Sequence, residues 1–147
     1  MKNLIIVPLK NSTSSDSVVN YLTSLALNPD NIEITLLHIF RNPSASEQFM
    51  GKEFAGEEES RLKKFLQNAK DKLVQAGIKP ETIHISLISE PYPTISDGII
   101  DYFNKGNFNM VVIGRRKKSK SEEFVLGDIS VKLVRDIEGA AILVVKS

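Results

Sequence analysis

The sequence predicts a doubly wound α/β fold: a single five-stranded parallel sheet with helices on both faces. Three observations predict it. Apolar periodicity alternates between two and about 3.6 residues, and does so in the regular order βαβαβαβαβ. The strand-like runs are short and continuously apolar, as in a sheet buried on both sides. Parallel neighbours need crossover connections, nearly always right-handed, and these lay helices on both faces.

Leu4 to Leu9 is an apolar run of the kind expected for a buried parallel strand. Ser12 to Asp16 offers N-cap residues and an early acid, after which Val18, Leu22, Leu25 and Ala26 form a helical stripe that ends before Pro29. Ile32 to Phe40 is the second strand. Residues 41–56 carry Pro43, Gly51, Gly56 and several serines and read as a long loop. Phe49, Met50 and Phe54 within it serve either as a lid or partner surface, or to pack the loop onto its own domain. A helix then begins with Glu57, Glu58 and Glu59, acids that suit the positive end of its dipole. Leu62, Phe65, Leu66, Ala69, Leu73 and Ala76 mark its inner face, lysines are frequent opposite, and Gly77 supplies its stop.

Thr82 to Ile88 is the third strand, alternating Ile83, Ile85 and Leu87 with His84 and Ser86. Thr94 to Lys105 is a helix with Ile95, Ile99 and Phe103 inward, closing at Gly106. Asn109 to Ile113 is the fourth strand. Gly127 to Ile137 is the last helix, with Ile129, Leu133 and Ile137 inward, and Ala140 to Val145 is the fifth strand.

At 147 residues the chain predicts one domain, 1–147, large enough to form a core without disulfides or metals. Apolar residues at 41% and charged residues at 25% match a soluble globular protein. With no cysteine there is no disulfide framework, thiolate nucleophile or Cys-type metal site. His38 and His84 lie far apart in strand-like runs, too few to converge on a metal, and read as strand residues with a local hydrogen bond. Neither a signal peptide nor an apolar run of about 20 residues is present, so the expected compartment is the cytoplasm and no membrane partner is expected. The net charge of +1 argues against nucleic acid as a partner. No nucleophile elbow, Walker A loop, dinucleotide fingerprint or His-Glu metal helix occurs, so no catalytic residue is assigned and an enzyme is not expected.

In a doubly wound sheet the ligand crevice lies beyond the carboxyl ends of the strands where their order reverses, here between strands one and four. The loops that meet there are Lys10-Asn11-Ser12-Thr13 and residues 114–126. The second runs Gly114-Arg115-Arg116-Lys117-Lys118-Ser119-Lys120 and leads through Gly127-Asp128-Ile129-Ser130 into a helix. A glycine before free helix-start amides is a route to anion binding, and it is also the ordinary form of a capped helix. The basic run has no interleaved aromatic residue on which bases would stack, which leaves a solvated loop as its plain reading.

Ile-Ile-Val-Pro at residues 5–8, Leu-Leu-His-Ile at 36–39, Met-Val-Val-Ile-Gly at 110–114, Leu-Gly-Asp-Ile-Ser at 126–130 and Ile-Leu-Val-Val at 142–145 fall in order along the whole chain. In these the chain resembles the universal stress protein family. The resemblance implies an adenine nucleotide alpha hydrolase-like fold with strand order 3-2-1-4-5, a stress-response role, a homodimer joined through the last strand (Ala140 to Val145), and a nucleotide site whose equivalents here are Pro8, Lys10, Ser12, Ile39, Gly114, Lys117, Gly127, Asp128 and Ser130.

ATP-binding members carry glycine, two residues, glycine, nine residues, glycine, then serine or threonine. Gly114 and Gly127 keep the first and third positions, while Lys117 and Asp128 replace the second glycine and the hydroxyl. The family's Asp-Gly-Ser after the first strand is matched by Lys10-Asn11-Ser12, of which only the serine remains. The Lys10 ammonium can only donate where the aspartate accepted, and losing an acceptor for a buried partner costs about 1–3 kcal/mol. Asp128 places a negative charge where phosphate oxygens would lie, a repulsion of about 4 kcal/mol at ~4 Å and an effective dielectric of ~20. Against a micromolar affinity of about 8 kcal/mol these changes remove most of the binding. Lys10, Arg115, Arg116, Lys117, Lys118 and Lys120 oppose them, but exposed charges are screened and individually weak. Lys10 and Asp128 either pair across the cleft and fill the phosphate position, or Asp128 caps its own helix.

The expected function is thus a non-catalytic stress-response or signalling module acting by dimerisation and contact with a protein partner, with no firm cofactor and little or no ATP binding. The rival is a sensor that binds ATP or another anionic nucleotide through the basic loop 114–127.

Overall fold

Strand order is the first expectation that can be checked. In the computed structural model, which describes residues 2–10, 13–40, 45–116 and 129–147, five strands form one parallel sheet: β1 (Asn3–Pro8), β2 (Ile32–Ile39), β3 (Ile83–Ile88), β4 (Met110–Arg115) and β5 (Ala141–Lys146). Their spatial order is β3-β2-β1-β4-β5, the order that the family resemblance implies. The connecting helices are α1 (Thr13–Ser24), α2 (Ala45–Gln75), α3 (Ile95–Asn104) and α4 (Ile129–Asp136).

Right-handed crossovers that move one way place α1 and α2 on one face, and those that move the other way place α3 and α4 on the opposite face. Two cores result. Val18, Val19 and Leu22 of α1 and Leu62, Leu66, Ala69 and Leu73 of α2 pack on Ile5, Val7, Ile34, Leu36 and Val112. Ile99 and Phe103 of α3 and Leu133 of α4 pack on Ile6, Leu37, Ile39, Val111 and Ile113. Consecutive residues of each central strand thus supply opposite cores, which is why these strands are apolar throughout rather than alternating.

The segment 41–56 departs from its expected loop. Residues 41–44 lie outside the described residues, but α2 already begins at Ala45 and runs unbroken for 31 residues, about 46 Å. Glycines and serines suggested a loop; yet Ala45, Glu47, Gln48, Met50, Lys52, Glu53 and Ala55 are good helix formers, and an interior glycine costs only about 1 kcal/mol. Once the helix over 57–75 is nucleated, extending it backwards is inexpensive. Whether Phe49, Met50 and Phe54 form a surface or pack inward falls outside the described side chains.

The correction reassigns Glu57–Glu59, which stand three turns inside α2 and cannot serve its dipole. Their role is lateral: Glu58 pairs with Arg61 and Glu59 with Lys63 at 3.1 Å, both across exposed helix surface. Gly56 is exposed, and a Cβ there would meet no atom within 4 Å. Gly56→Ala is therefore expected to stabilise the protein by about 0.5–1 kcal/mol, read as a higher urea midpoint at unchanged slope.

The ends of the other elements shift by a residue or two. Helix α1 stops at Ser24, so Leu25 and Ala26 lie beyond the stripe. Thr82 belongs to a 3-10 turn, Pro80–Thr82, rather than to β3. Helix α2 ends as expected at Gly77, whose φ of 104° only glycine adopts readily. The amide of Ile78 bonds the carbonyl of Leu73, and that of Gly77 bonds Val74, satisfying the last turn. Thr94 caps α3: its hydroxyl oxygen accepts from the Asp97 amide at 3.2 Å, and its O–H donates to the Asp97 carboxylate at 2.7 Å. No helix among the described residues is long and apolar enough to cross a membrane.

Candidate functional site

The ladder between β1 and β4 is short. Register is kept only at Ile5–Met110 and Ile6–Val111, whereas β1 with β2, β2 with β3 and β4 with β5 each pair over six positions. Beyond Val111 these two strands no longer hold each other. Their carboxyl ends, Pro8 and Gly114 to Arg115, form the crevice that the reversal of strand order demands.

Helix α1 floors this crevice. The amide of Lys10 donates to the Ser15 hydroxyl at 2.9 Å, fixing the chain just after β1 to the first turn of α1. Gly114 meets the same turn from the β4 side: a Cβ on it would lie 2.7 Å from the Ser14 carbonyl oxygen and 2.9 Å from Val18 Cγ2. Close backbone approach, expected of Gly114 for the sake of a phosphate, is thus already required by α1. Ser14 and Ser15 are both buried. Ser15 is the residue beside the crevice that sequence reading missed; its signal was the serine-rich helix start, from which only Ser12 was drawn by resemblance.

The remaining described positions lie on the other side of the sheet. Ile39 is buried at the end of β2 with Ile113 and the helices α3 and α4, Pro8 shares that side by strand alternation, and Ser130 is buried in the first turn of α4. The crevice therefore has Lys10 and Gly114 toward α1, with Pro8, Ile39 and Ser130 toward α4. Lys10 itself is exposed. Ser12, Lys117, Gly127 and Asp128 lie outside the described residues, and with them the expected contact between Lys10 and Asp128.

Two hydrogen-bonded groups brace the walls. At the end of β2, His38 Nδ1 lies 2.7 Å from the Leu9 carbonyl; since a carbonyl only accepts, Nδ1 carries the hydrogen. Burial holds the His38 pKa below the ordinary histidine value, partly offset by this bond, so the ring stays neutral while tying β2 to the residue before Lys10. The bond is thus not the local one expected of His38: it joins residues 29 apart in sequence and reaches across to the end of β1.

Beyond β3, the Tyr92 hydroxyl lies 2.6 Å from an Asp101 carboxylate oxygen and 3.1 Å from one of Glu90, and its pKa is raised, first by the bond to Asp101. Asp101 is held low by Lys105 and then by Tyr92. Between α3 and α4, Lys132 reaches Asp97 and Thr94 at 3.4 Å each. The bond from Thr94, ahead of Lys132, lowers the Asp97 pKa. Among the described residues no three His, Asp or Glu side chains converge as metal ligands.

The model of the Universal stress protein family (Usp) matches residues 1–146. The universal stress protein YxiE of Bacillus subtilis is 25% identical over 156 residues, spanning 99% of this chain and 100% of that protein. Among solved structures, a universal stress protein from Arabidopsis thaliana with AMP bound is 16% identical with a TM-score of 0.64, covering 98% of this chain and 91% of its own. The universal stress protein of Archaeoglobus fulgidus in complex with dAMP is 12% identical with a TM-score of 0.61, covering 99% and 98%. These two likenesses establish the fold, and the sheet order 3-2-1-4-5 found here agrees with them. With a family model matched from end to end, this chain belongs to the universal stress protein family.

Proposed function

We propose that this chain is a non-catalytic stress-response module of the cytoplasm that pairs with a second copy through β5 and contacts a protein partner, and whose cleft binds ATP weakly or not at all. The observation that carries the reading is Lys10. Its backbone is pinned by Ser15 at the opening between β1 and β4, and it puts a cation where the family's acceptor for a nucleoside stands. Asp128 adds an anion at the helix-start position that would face phosphate. One change removes a hydrogen-bond acceptor and the other adds repulsion, and exposed basic residues are too strongly screened to offset both.

A second reading has its own support. Solved relatives hold AMP and dAMP, and a monophosphate brings less charge to Asp128 than a triphosphate does. On this reading the chain is a sensor that takes an anionic nucleotide through Arg115, Arg116 and the rest of the 114–127 loop. Titration calorimetry at low salt separates the two. With Mg-ATP and with AMP as titrants, the module predicts no binding tighter than about 10 μM, and a dissociation constant below about 10 μM for either overturns it in favour of the sensor.

A further inference from the structure

Strand β3 is one edge of the sheet, and it is uncovered. It pairs only with β2. Its consecutive residues His84 and Ile85 face opposite sides of the sheet, yet both are exposed, Ile85 to 37%. Neither helix layer therefore reaches over the middle of this edge. The backbone opens outward at the same place. The Phe40 amide donates to the Ile88 carbonyl at 2.8 Å, so Ile88 turns its backbone groups toward β2. Alternate residues share that direction: Ser86 and His84 also bond β2, while Ile83, Ile85 and Leu87 turn theirs to the open side. The Ile83 amide goes back to the Pro80 carbonyl. The N–H and C=O of Ile85 and Leu87, and the C=O of Ile83, are left with no strand to bond.

Natural proteins guard such edges with charge, proline, a bulge or a cover. Strand β3 has no acid, lysine, arginine or proline, and it keeps unbroken register with β2 over six positions. We propose that β3 accepts an extended segment of a partner protein as an added antiparallel strand, with apolar residues against Ile85 and a basic residue near each end. This rests on the partner-contact part of the reading above and deepens it by naming the surface and the chemistry of what it takes.

Backbone and charge together choose this occupant. Outward donors and acceptors at every second residue are matched by another extended chain. An antiparallel strand at the edge of an otherwise parallel sheet is a common addition in doubly wound folds. It would set Ile85 in a hydrogen-bonded pair, so that the residue opposite projects to the same face, where Ile83 and Leu87 already pack on the core beneath α1 and α2. Charge picks the ends. Glu81 before β3 and Glu90 after it are exposed. Glu90 holds only the neutral hydroxyl of Tyr92. The lysines beside these acids are engaged elsewhere, Lys79 with Asp30 and Lys105 with Asp101 at 2.8 Å. The edge is thus apolar at its middle and acidic at two ends within about 30 Å of each other.

The synthetic peptide Lys-Thr-Val-Thr-Val-Thr-Val-Thr-Lys, labelled for fluorescence anisotropy, tests this with the full chain. It is expected to bind at low salt with a dissociation constant of about 100 μM. Methylating the valine nitrogens, which face β3 in this pairing, is expected to weaken it at least about tenfold, and methylating the threonine nitrogens less than about threefold. Ile85→Pro removes an outward N–H that β2 does not use, so the fold is kept and binding falls at least about tenfold. Ile85→Lys gives the same loss by guarding the edge with charge, and serves if the proline variant unfolds. Glu81→Gln with Glu90→Gln is expected to raise the constant about fivefold. Hydrogen exchange of the Ile85 and Leu87 amides should slow when peptide is added to the wild type. No binding tighter than about 1 mM, undiminished binding by folded Ile85→Pro or Ile85→Lys, or slowing confined to β5 overturns the proposal. So does slowing at Ile85 and Leu87 that grows with protein concentration alone, which gives the edge to a second copy. An ATP affinity tighter than about 10 μM would overturn the module reading and leave each of these outcomes as it is, so the two fail separately.

Discussion

Leu133→Ala is expected to lower the unfolding free energy by about 2–5 kcal/mol. The described part of helix α4 has eight residues, too few to be stable in water alone. Its attachment comes from one stripe: Leu133 is fully buried, Ile137 nearly so, and Ile129 packs at their margin against the core that holds Ile6, Val111 and Ile113. Leu133 stands at the centre of that stripe, so the helix cannot tilt to refill the space without pulling Ile129 or Ile137 away. Lys132 holds Asp97 from a partly exposed position, where an ion pair contributes little. The change should appear as a lower urea midpoint at unchanged slope. A loss below about 1 kcal/mol would mean that α4 is not anchored through this residue.

Gly114→Ala should cost about 1–3 kcal/mol in the protein without any ligand. The added methyl would lie 2.7 Å from the Ser14 carbonyl oxygen, a main-chain atom in the first turn of α1, and 2.9 Å from Val18 Cγ2. That turn cannot retreat freely, because Ser15 beside it holds the amide of Lys10. Gly98 makes the contrast. A methyl there would come within 2.6 Å of Ile39 Cδ1 and 3.0 Å of Ile39 Cγ2 and Tyr92 Cδ2, all side-chain atoms, so the clash falls on packing of the other core rather than on main chain. Thermal unfolding of the ligand-free variants provides the measurement. A Gly114→Ala protein as stable as wild type would return the explanation of this glycine to phosphate binding.

Much of the fold was legible because its signals are strong and local. Continuous apolar runs mark β1, β2 and β4, which supply a core on each side, and Gly77 and Thr94 mark a helix end and start by their own chemistry. What misled was the segment before Gly56, where glycine and serine were weighed as loop residues without the helix behind them, although propagation outweighs two weak residues. Element ends shifted where a residue serves two roles, as Thr82 does in closing a 3-10 turn immediately before β3.

The candidate site was less legible. Order of strands predicted where the crevice opens, and Pro8, Ile39 and Gly114 stand at strand ends beside it. The floor was hidden, since nothing in the run Ser12 to Ser17 marks out Ser15, whose hydroxyl accepts from the Lys10 amide; that depends on how far α1 winds back beneath β1. The double duty of Gly114 was hidden for the same reason: close approach of backbone to backbone leaves no trace in sequence beyond the glycine itself.

The two cores separated by the sheet have a consequence for how this chain can vary. Leu66 and Leu133 share no neighbour, since successive residues of β1 and β4 point to opposite sides. Changes on the two faces should therefore be energetically independent to within about 0.5 kcal/mol. The layer of α1 and α2, which floors the crevice, can be remodelled by drift or by design while the layer of α3 and α4 keeps its own packing. A lineage could thereby alter what the cleft accepts without renegotiating the other half of the molecule.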